Sequence, residues 1–241
     1  MSTDQKARPA RRPRLGRFGA SILAIVAAAI GTGVTPASAQ TALSFLCVSP
    51  DITVALTSGT VTPQDLQCYG FPSGTITLPP AGIPEGSKIT SYFGLSATQN
   101  LLTIDTTAAL PTNGSGGTVI VTPRDVVSYN TSTSFFSSTL YFAGASHGVP
   151  DGTRIDAIGM DGSGNLLLSF DVTISVPKAG GGTLTVKPAD LVSFDGVNYA
   201  LVFNGVGAGI PDGMNLDGAT MLPNAHLLMV SLAPTVETGT P

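Results

Sequence analysis

One pentapeptide of this 241-residue chain has the spacing of a catalytic nucleophile. Gly144-Ala145-Ser146-His147-Gly148 fits G-x-S-x-G, in which a strand-turn-helix bend lifts the serine onto a helix N-terminus while a histidine and an acid arrive later in the chain. His226 would then be the base and Asp171 or Asp190 its orienter. The surroundings argue for a turn instead. The pentapeptide lies between two β-rich segments, and the matching loop downstream reads Gly205-Val206-Gly207-Ala208-Gly209, with no serine. Glycines that recur without the nucleophile belong to the loop, so Ser146 reads as a small loop residue and the sequence favours no acyl-transfer site.

Acidic residues offer a second chemistry. Asp161-Gly162-Ser163-Gly164-Asn165 places oxygen ligands at alternate positions, as calcium loops do, and Asp156 is close by in sequence. Val172 stands at the twelfth position, where such a loop needs a bidentate Glu, and the corresponding segment further on reads Leu222-Pro223-Asn224-Ala225-His226. A hairpin turn is the simpler reading, and no cofactor is expected. Asp65, Asp125 and Asp190 each follow a proline by two residues, whereas Glu85, Asp151 and Asp212 each stand between Pro and Gly. A carboxylate demanded this regularly is better explained by the fold, as an acceptor for exposed backbone N–H groups, than by one active site. Cys47 and Cys68 are the only cysteines. A disulfide closing their loop would be worth on the order of 3 kcal/mol, with two free thiols as the competing state. Metal binding through this pair is not expected, because His147 and His226 are distant in sequence.

The chain as a whole limits what these groups can serve. Only 11% of the residues are charged against 42% hydrophobic, which excludes a disordered chain. Tyr92, Phe93, Tyr129, Phe135, Phe136 and Tyr141 give some aromatic density, but the absence of Trp makes a carbohydrate platform a thin case. Six basic residues between Lys6 and Arg17 precede a largely apolar run from Ala20 to Val34 and the A-x-A site Ala37-Ser38-Ala39. This is the three-part layout of a secretory signal peptide over residues 1–39, with an uncleaved anchor as the competing reading. Arg11-Arg12 suggests twin-arginine export, yet Pro13 and Arg14 stand where that motif has apolar residues. Cleavage after Ala39 leaves 5 basic and 14 acidic residues, a net charge of −9. Such a surface repels polyanions, so neither nucleic acid nor an anionic membrane surface is an expected partner. The expected location is secreted, periplasmic or cell-surface.

Three motifs recur in the same order. Pro-x-Asp appears at Pro63, Pro123 and Pro188; Gly-Ile/Val-Pro-Asp/Glu-Gly at Gly82, Gly148 and Gly209; and a Leu pair after a polar residue at Asn100, Asn165 and His226. Their steps are 60 and 65, 66 and 61, and 65 and 61 residues. Motifs that advance together mark tandem units, placed at 51–104, 105–170 and 171–232 within one domain at 40–232, with a disordered tail at 233–241. Leu43-Ser44-Phe45 resembles Leu168-Ser169-Phe170, which suggests that an N-terminal strand fills the place of a preceding repeat's last strand.

Each unit reads as all-β, with about four strands. Thr183-Leu184-Thr185-Val186 alternates, and Leu191 to Phe194 and Tyr199 to Phe203 are β-rich runs flanked by the turn pairs Asp195-Gly196 and Asn204-Gly205. Leu166 to Ile174 is one long strand or two bent at Asp171. No 11-residue window of the mature chain carries an apolar 3.6 period, so helices should be short or absent. The stretch Gly148-Val149-Pro150-Asp151-Gly152 through Ile155-Asp156-Ala157 to Gly164-Asn165-Leu166-Leu167 resembles blades of β-propellers of the NHL and gluconolactonase-like kind. The resemblance covers about 20 residues per unit. It implies either a ring closed by several chains, as a homo-oligomer, or a sandwich or stack of units, because three blades are fewer than the four to eight that close a ring.

Together these readings point to an exported, non-enzymatic β-repeat protein, a structural, adhesive or ligand-binding module whose ligand the sequence does not identify. The alternative is a secreted hydrolase of lactonase or esterase type, resting on the blade-like stretch and the Ser146 pentapeptide.

Overall fold

The computed structural model describes residues 26–29, 45–48, 53–56, 59–70, 74–78, 80–113, 116–222 and 227–233. Most of the expected leader, the tail beyond Ala233 and His226 lie outside the described residues. Strands β1 (Val26–Ala29) and β2 (Phe45–Val48) precede the first repeat. That repeat supplies β3 (Val54–Leu56), β4 (Gly59–Val61), β5 (Leu66–Gly70), β6 (Gly74–Leu78), β7 (Ile89–Gly94) and β8 (Gln99–Ile104). The second supplies β9 (Ala108–Pro111), β10 (Thr118–Val121), β11 (Val127–Asn130) and β12 (Phe135–Phe136), then a 3₁₀ turn at Gly144–His147, β13 (Ile155–Met160) and β14 (Leu166–Phe170). The third gives β15 (Ile174–Pro177), β16 (Thr183–Val186), β17 (Leu191–Phe194), β18 (Tyr199–Phe203), β19 (Asn215–Leu222) and β20 (Leu227–Ala233). The chain is all-β, and the run from Leu166 to Ile174 is two strands broken at Asp171.

Sheets form across the repeat boundaries. The hairpin that ends one repeat is continued by two strands of the next, giving β7-β8-β11-β12 and β13-β14-β17-β18, both wholly antiparallel. The first sheet is β2-β5-β6 and the last is β19-β20-β1. Between the second and third strand of each complete sheet the chain makes a side hairpin, β9-β10 or β15-β16, with β3-β4 as its counterpart in the first repeat. β2 pairs with β5 as β8 pairs with β11, so a strand does stand where a preceding repeat would end. It begins at Phe45, and Leu46 rather than a residue of Leu43-Ser44-Phe45 faces Tyr69 as Leu166 faces Phe194.

Burial follows the sheet geometry. β14 is buried at all five residues, covered on both faces, whereas β9, β10 and β15 alternate buried and exposed residues and so rest one face on the core. The inner strand of each hairpin carries a bulge at the same place, between Ile89 and Ser91, Ile155 and Ala157, and Leu216 and Gly218. These inner strands lie side by side, β7 against β13 and β13 against β19. At the first seam Thr90 Oγ1 donates to the Ile155 carbonyl at 3.0 Å and Ile158 N–H donates to Ser91 Oγ at 2.8 Å.

The two turn motifs fix where the strands begin. In Pro-x-Asp, Asp125 Oδ2 accepts from Thr122 N (2.9 Å) and from the Thr122 hydroxyl, while Oδ1 accepts from Gly144 N at 2.9 Å. Asp190 repeats this with Lys187 N (2.9 Å) and Gly205 N (3.0 Å), and Asp65 with Thr62 N (2.7 Å). The motif's proline carbonyl then accepts an N–H at the start of the next bulged strand: Pro63 from Ile89, Pro123 from Ile155 and Pro188 from Leu216, each at 3.0 Å. Gly144 and Gly205 are required by close approach, since a Cβ on either would sit 2.2 Å from a backbone oxygen, that of Arg124 or Ala189. In the Gly-Ile/Val-Pro motif both glycines take the left-handed region, φ +80° at Gly148 and +78° at Gly152 for instance, which other residues avoid.

Asp125→Ala would leave three donors without their acceptor, two of them backbone N–H groups, and is expected to lower unfolding free energy by about 3 kcal/mol in chemical denaturation. Gly144→Ala should be at least as damaging. Gly162→Ala, where a Cβ meets nothing within 4 Å, should change stability by no more than about 0.5 kcal/mol.

Candidate functional site

A polar cleft of about 290 Å³ opens where the second repeat's first turn meets its hairpin, lined by Asp105, Thr107, Thr122, Pro123, Arg124, Asp151, Gly152, Thr153, Arg154 and Asp171. The Pro-x-Asp turn presents Arg124, whose Nη1 donates to the Val149 carbonyl at 2.8 Å and whose Nη2 is 2.6 Å from Asp151 Oδ1. Asp151 is 95% exposed, so this ion pair holds its partner only weakly. Arg154 enters from the residue before β13. Its Nε donates to Asp156 Oδ1 at 2.7 Å and its Nη2 is 3.8 Å from Asp171 Oδ2. The Asp156 hydrogen bond holds the Arg154 guanidinium above its ordinary range, against the opposing pull of burial.

Asp156 is 4% exposed and has a partner on each oxygen: it takes Arg154 on one and the Asn215 side-chain amide, from β19, on the other. Asn215 Oδ1 is the one buried side-chain oxygen without a hydrogen bond among the described residues. Asp171 also belongs to the fold, because Arg154 N donates to its Oδ1 at 2.7 Å, as Lys88 N donates to Asp105 Oδ1 at 2.7 Å one repeat earlier. Burial raises the Asp171 carboxyl above the usual aspartate range, outweighing the backbone N–H and guanidinium of Arg154. The cleft therefore presents carboxylates and threonine hydroxyls around two guanidiniums already held by carboxylates. It contains no nucleophile with a base.

The sequence-predicted residues fall elsewhere. Ser146 is exposed within the 3₁₀ turn, where its N–H donates to the Ala143 carbonyl at 3.0 Å, and among the described residues no imidazole or carboxylate reaches its hydroxyl. A four-residue turn closed by left-handed Gly148 is not a helix N-terminus, so the elbow geometry is missing. The neighbouring His147 is held by packing, its ring 5.2 Å from that of Phe142 and 4.6 Å from that of Phe194, with the Tyr199 hydroxyl donating to its carbonyl at 3.1 Å. Burial pushes the Tyr199 phenol well above its ordinary range.

Asp161, Ser163 and Asn165 lie together in the β13-β14 turn. Asp161 Oδ1 accepts from Ser163 N and Asn165 N at 2.8 Å each, and Oδ2 accepts from Asn165 Nδ2 at 2.8 Å. Asp156 stands at the opposite end of β13 and is not brought to them. Among the described residues no three His, Cys, Asp or Glu side chains cluster as metal ligands would. Sequence reasoning passed over Arg124, Arg154 and Asn215. The available signal was scarcity, since only five basic residues follow the leader and two of them line this cleft.

Burial raises the Asp161 carboxyl, but hydrogen bonds from Asn165, Ser163 and Gly164 lower it further, so its folded pKa lies below the ordinary 3.8. A depressed acid contributes stability that is present above the unfolded value and lost as pH falls through the folded one. Asp161→Ala should therefore lower the melting temperature at pH 7 by several degrees and by progressively less as the pH drops through and below the ordinary value of 3.8. Calcium at millimolar concentration should leave the wild-type melting temperature where EDTA leaves it.

No protein-family model matches the chain, and no curated protein does. Among solved structures it is similar to the extracellular domain of the putative one component system BT4673 from B. thetaiotaomicron, at 13% identity and a TM-score of 0.32, over 72% of this chain and 25% of that one. The chain thus spans a quarter of the structure it matches.

Proposed function

We propose that this chain is an exported β-repeat module that serves as a structural, adhesive or ligand-binding surface and has no catalytic centre. One observation carries the reading: the carboxylates at the turns, the hairpin starts and the seam are held as acceptors by the repeat itself. Asp125 and Asp190 close turns, Asp105 and Asp171 cap the starts of hairpins, and Asp156 ties one repeat to the next. A general base must be free to take a proton, and these carboxylates are already engaged. Export is read from the charged, apolar and A-x-A segments of residues 1–39. The described residues include no helix long and apolar enough to cross a membrane.

Export also bears on the two cysteines. Cys47 and Cys68 are direct register partners on the antiparallel strands β2 and β5, and cross-strand Cα separations of about 4.5–5.5 Å lie within the span a disulfide bridges. In an oxidising compartment this pair forms the bond that fastens β2 to the first repeat.

Two measurements test the reading. A panel of ester and lactone substrates on the chain from residue 40 should show no turnover, and hydrolysis that Ser146→Ala abolishes would make the protein a hydrolase instead. The exported protein should contain no titratable thiol, and Cys68→Ser should lower its unfolding free energy by about 3 kcal/mol.

A further inference from the structure

The last sheet is half built. In the two complete sheets the outgoing hairpin of one repeat is continued by two strands of the next, whereas the slot beside β20 holds β1. The register there is that of the inner units. Val26 faces Val230 as Val127 faces Leu102 and Val192 faces Leu168, and Ala28 faces Leu228 as Tyr129 faces Asn100 and Phe194 faces Leu166. The outer edge of β20 is thus a strand acceptor shaped by the same repeat geometry. Leu227–Ala233 carries neither a charge nor a proline, the devices by which lasting edge strands avoid pairing.

β1 belongs to the segment that the export reading removes, so cleavage takes away the strand that holds this edge. The opposite end of the molecule cannot supply another by head-to-tail addition. There β2 already occupies, on β5, the edge where a preceding repeat's last strand would lie. Two β20 edges can meet each other about a two-fold axis. Antiparallel pairing of β20 with β20 gives the order β19-β20-β20-β19, four antiparallel strands, the number and sense of the two complete sheets. Such a contact is closed, consuming both edges and leaving none to propagate.

We propose that removal of the leader opens the β20 edge and that a second copy of this chain fills it by two-fold antiparallel pairing. The proposal rests on the export reading for when the edge opens, and not on the absence of catalysis.

The test compares the chain from residue 40 with one from residue 24, which keeps Val26–Ala29. At about 100 µM, sedimentation should give twice the chain mass for the first and a single chain mass for the second. Amide exchange over Leu227–Ala233 should slow as the shorter chain is concentrated from monomer to dimer. A folded monomer, an unfolded chain or an open-ended ladder of masses for the residue-40 form overturns the proposal, as does a dimer of both forms. N-terminal sequencing of the exported protein separates the premise, since a retained leader defeats the export reading whatever the mass of the shortened chain.

Discussion

A buried carboxylate that accepts hydrogen bonds from its own turn and from a distant backbone N–H is the interaction on which this architecture hangs. Asp125 and Asp190 are 4% and 5% exposed. Burying such a group is costly unless its lone pairs are filled, and the N–H groups it takes would otherwise be orphaned where no strand can pair them. Each side therefore solves the other's problem. The same turn hands its proline carbonyl to an N–H at the start of the next bulged strand, so the start of one sheet strand and the entry of the next hairpin are set within three residues of each other.

That economy explains how so sparsely charged a chain holds a repeat together. With each seam fixed by a few oriented hydrogen bonds, the remaining cohesion comes from apolar residues, and the buried clusters run across repeat boundaries. Leu101 and Phe93 of the first repeat pack with Ile155, Phe170 and Val192 of the next two. A sheet that takes two strands from each of two repeats cannot be completed by one repeat alone. Beside β5 the strand in that place is β2, and beside β20 it is β1.

Much of this was legible in the sequence because turns leave chemical marks. Pro-x-Asp and Gly-Ile/Val-Pro-Asp/Glu-Gly name residues for reasons of φ, ring constraint and acceptor count, so their spacing tracked the repeat well. The Leu pair did not. Leu101 is equivalent to Leu167, and Asn100 takes the place of Leu166, one residue out of step with the motif, because the closing pairs Gly94–Asn100 and Met160–Leu166 each enclose five residues and Asn165 is the last of its five. The step that shortens by one residue lies elsewhere, in the β15-β16 turn, which has five residues between Pro177 and Thr183 against six between Pro111 and Thr118. A strand covered on both faces offers leucine at every position, so apolar identity cannot report register there. The cleft was illegible for a different reason. Arg154 and Asn215 are 61 residues apart and share Asp156 only because β13 and β19 lie side by side.

Where the three copies differ at one position, the fold has left a choice. The bulge is occupied by Thr90 at the first seam and by Asp156 at the second. Thr90 answers with neutral hydrogen bonds, to Thr103 at 2.7 Å and to the Ile155 carbonyl. Asp156 requires a guanidinium and an amide, and the amide brings with it an oxygen, Asn215 Oδ1, that finds no donor. An unsatisfied buried polar atom costs about 1–3 kcal/mol, and the stability of a repeat array is close to a sum over its units and seams. The seam with the stronger charges is thus the less completely satisfied one. The polar cleft, formed partly by Arg154 of that seam, sits where the array holds together least economically.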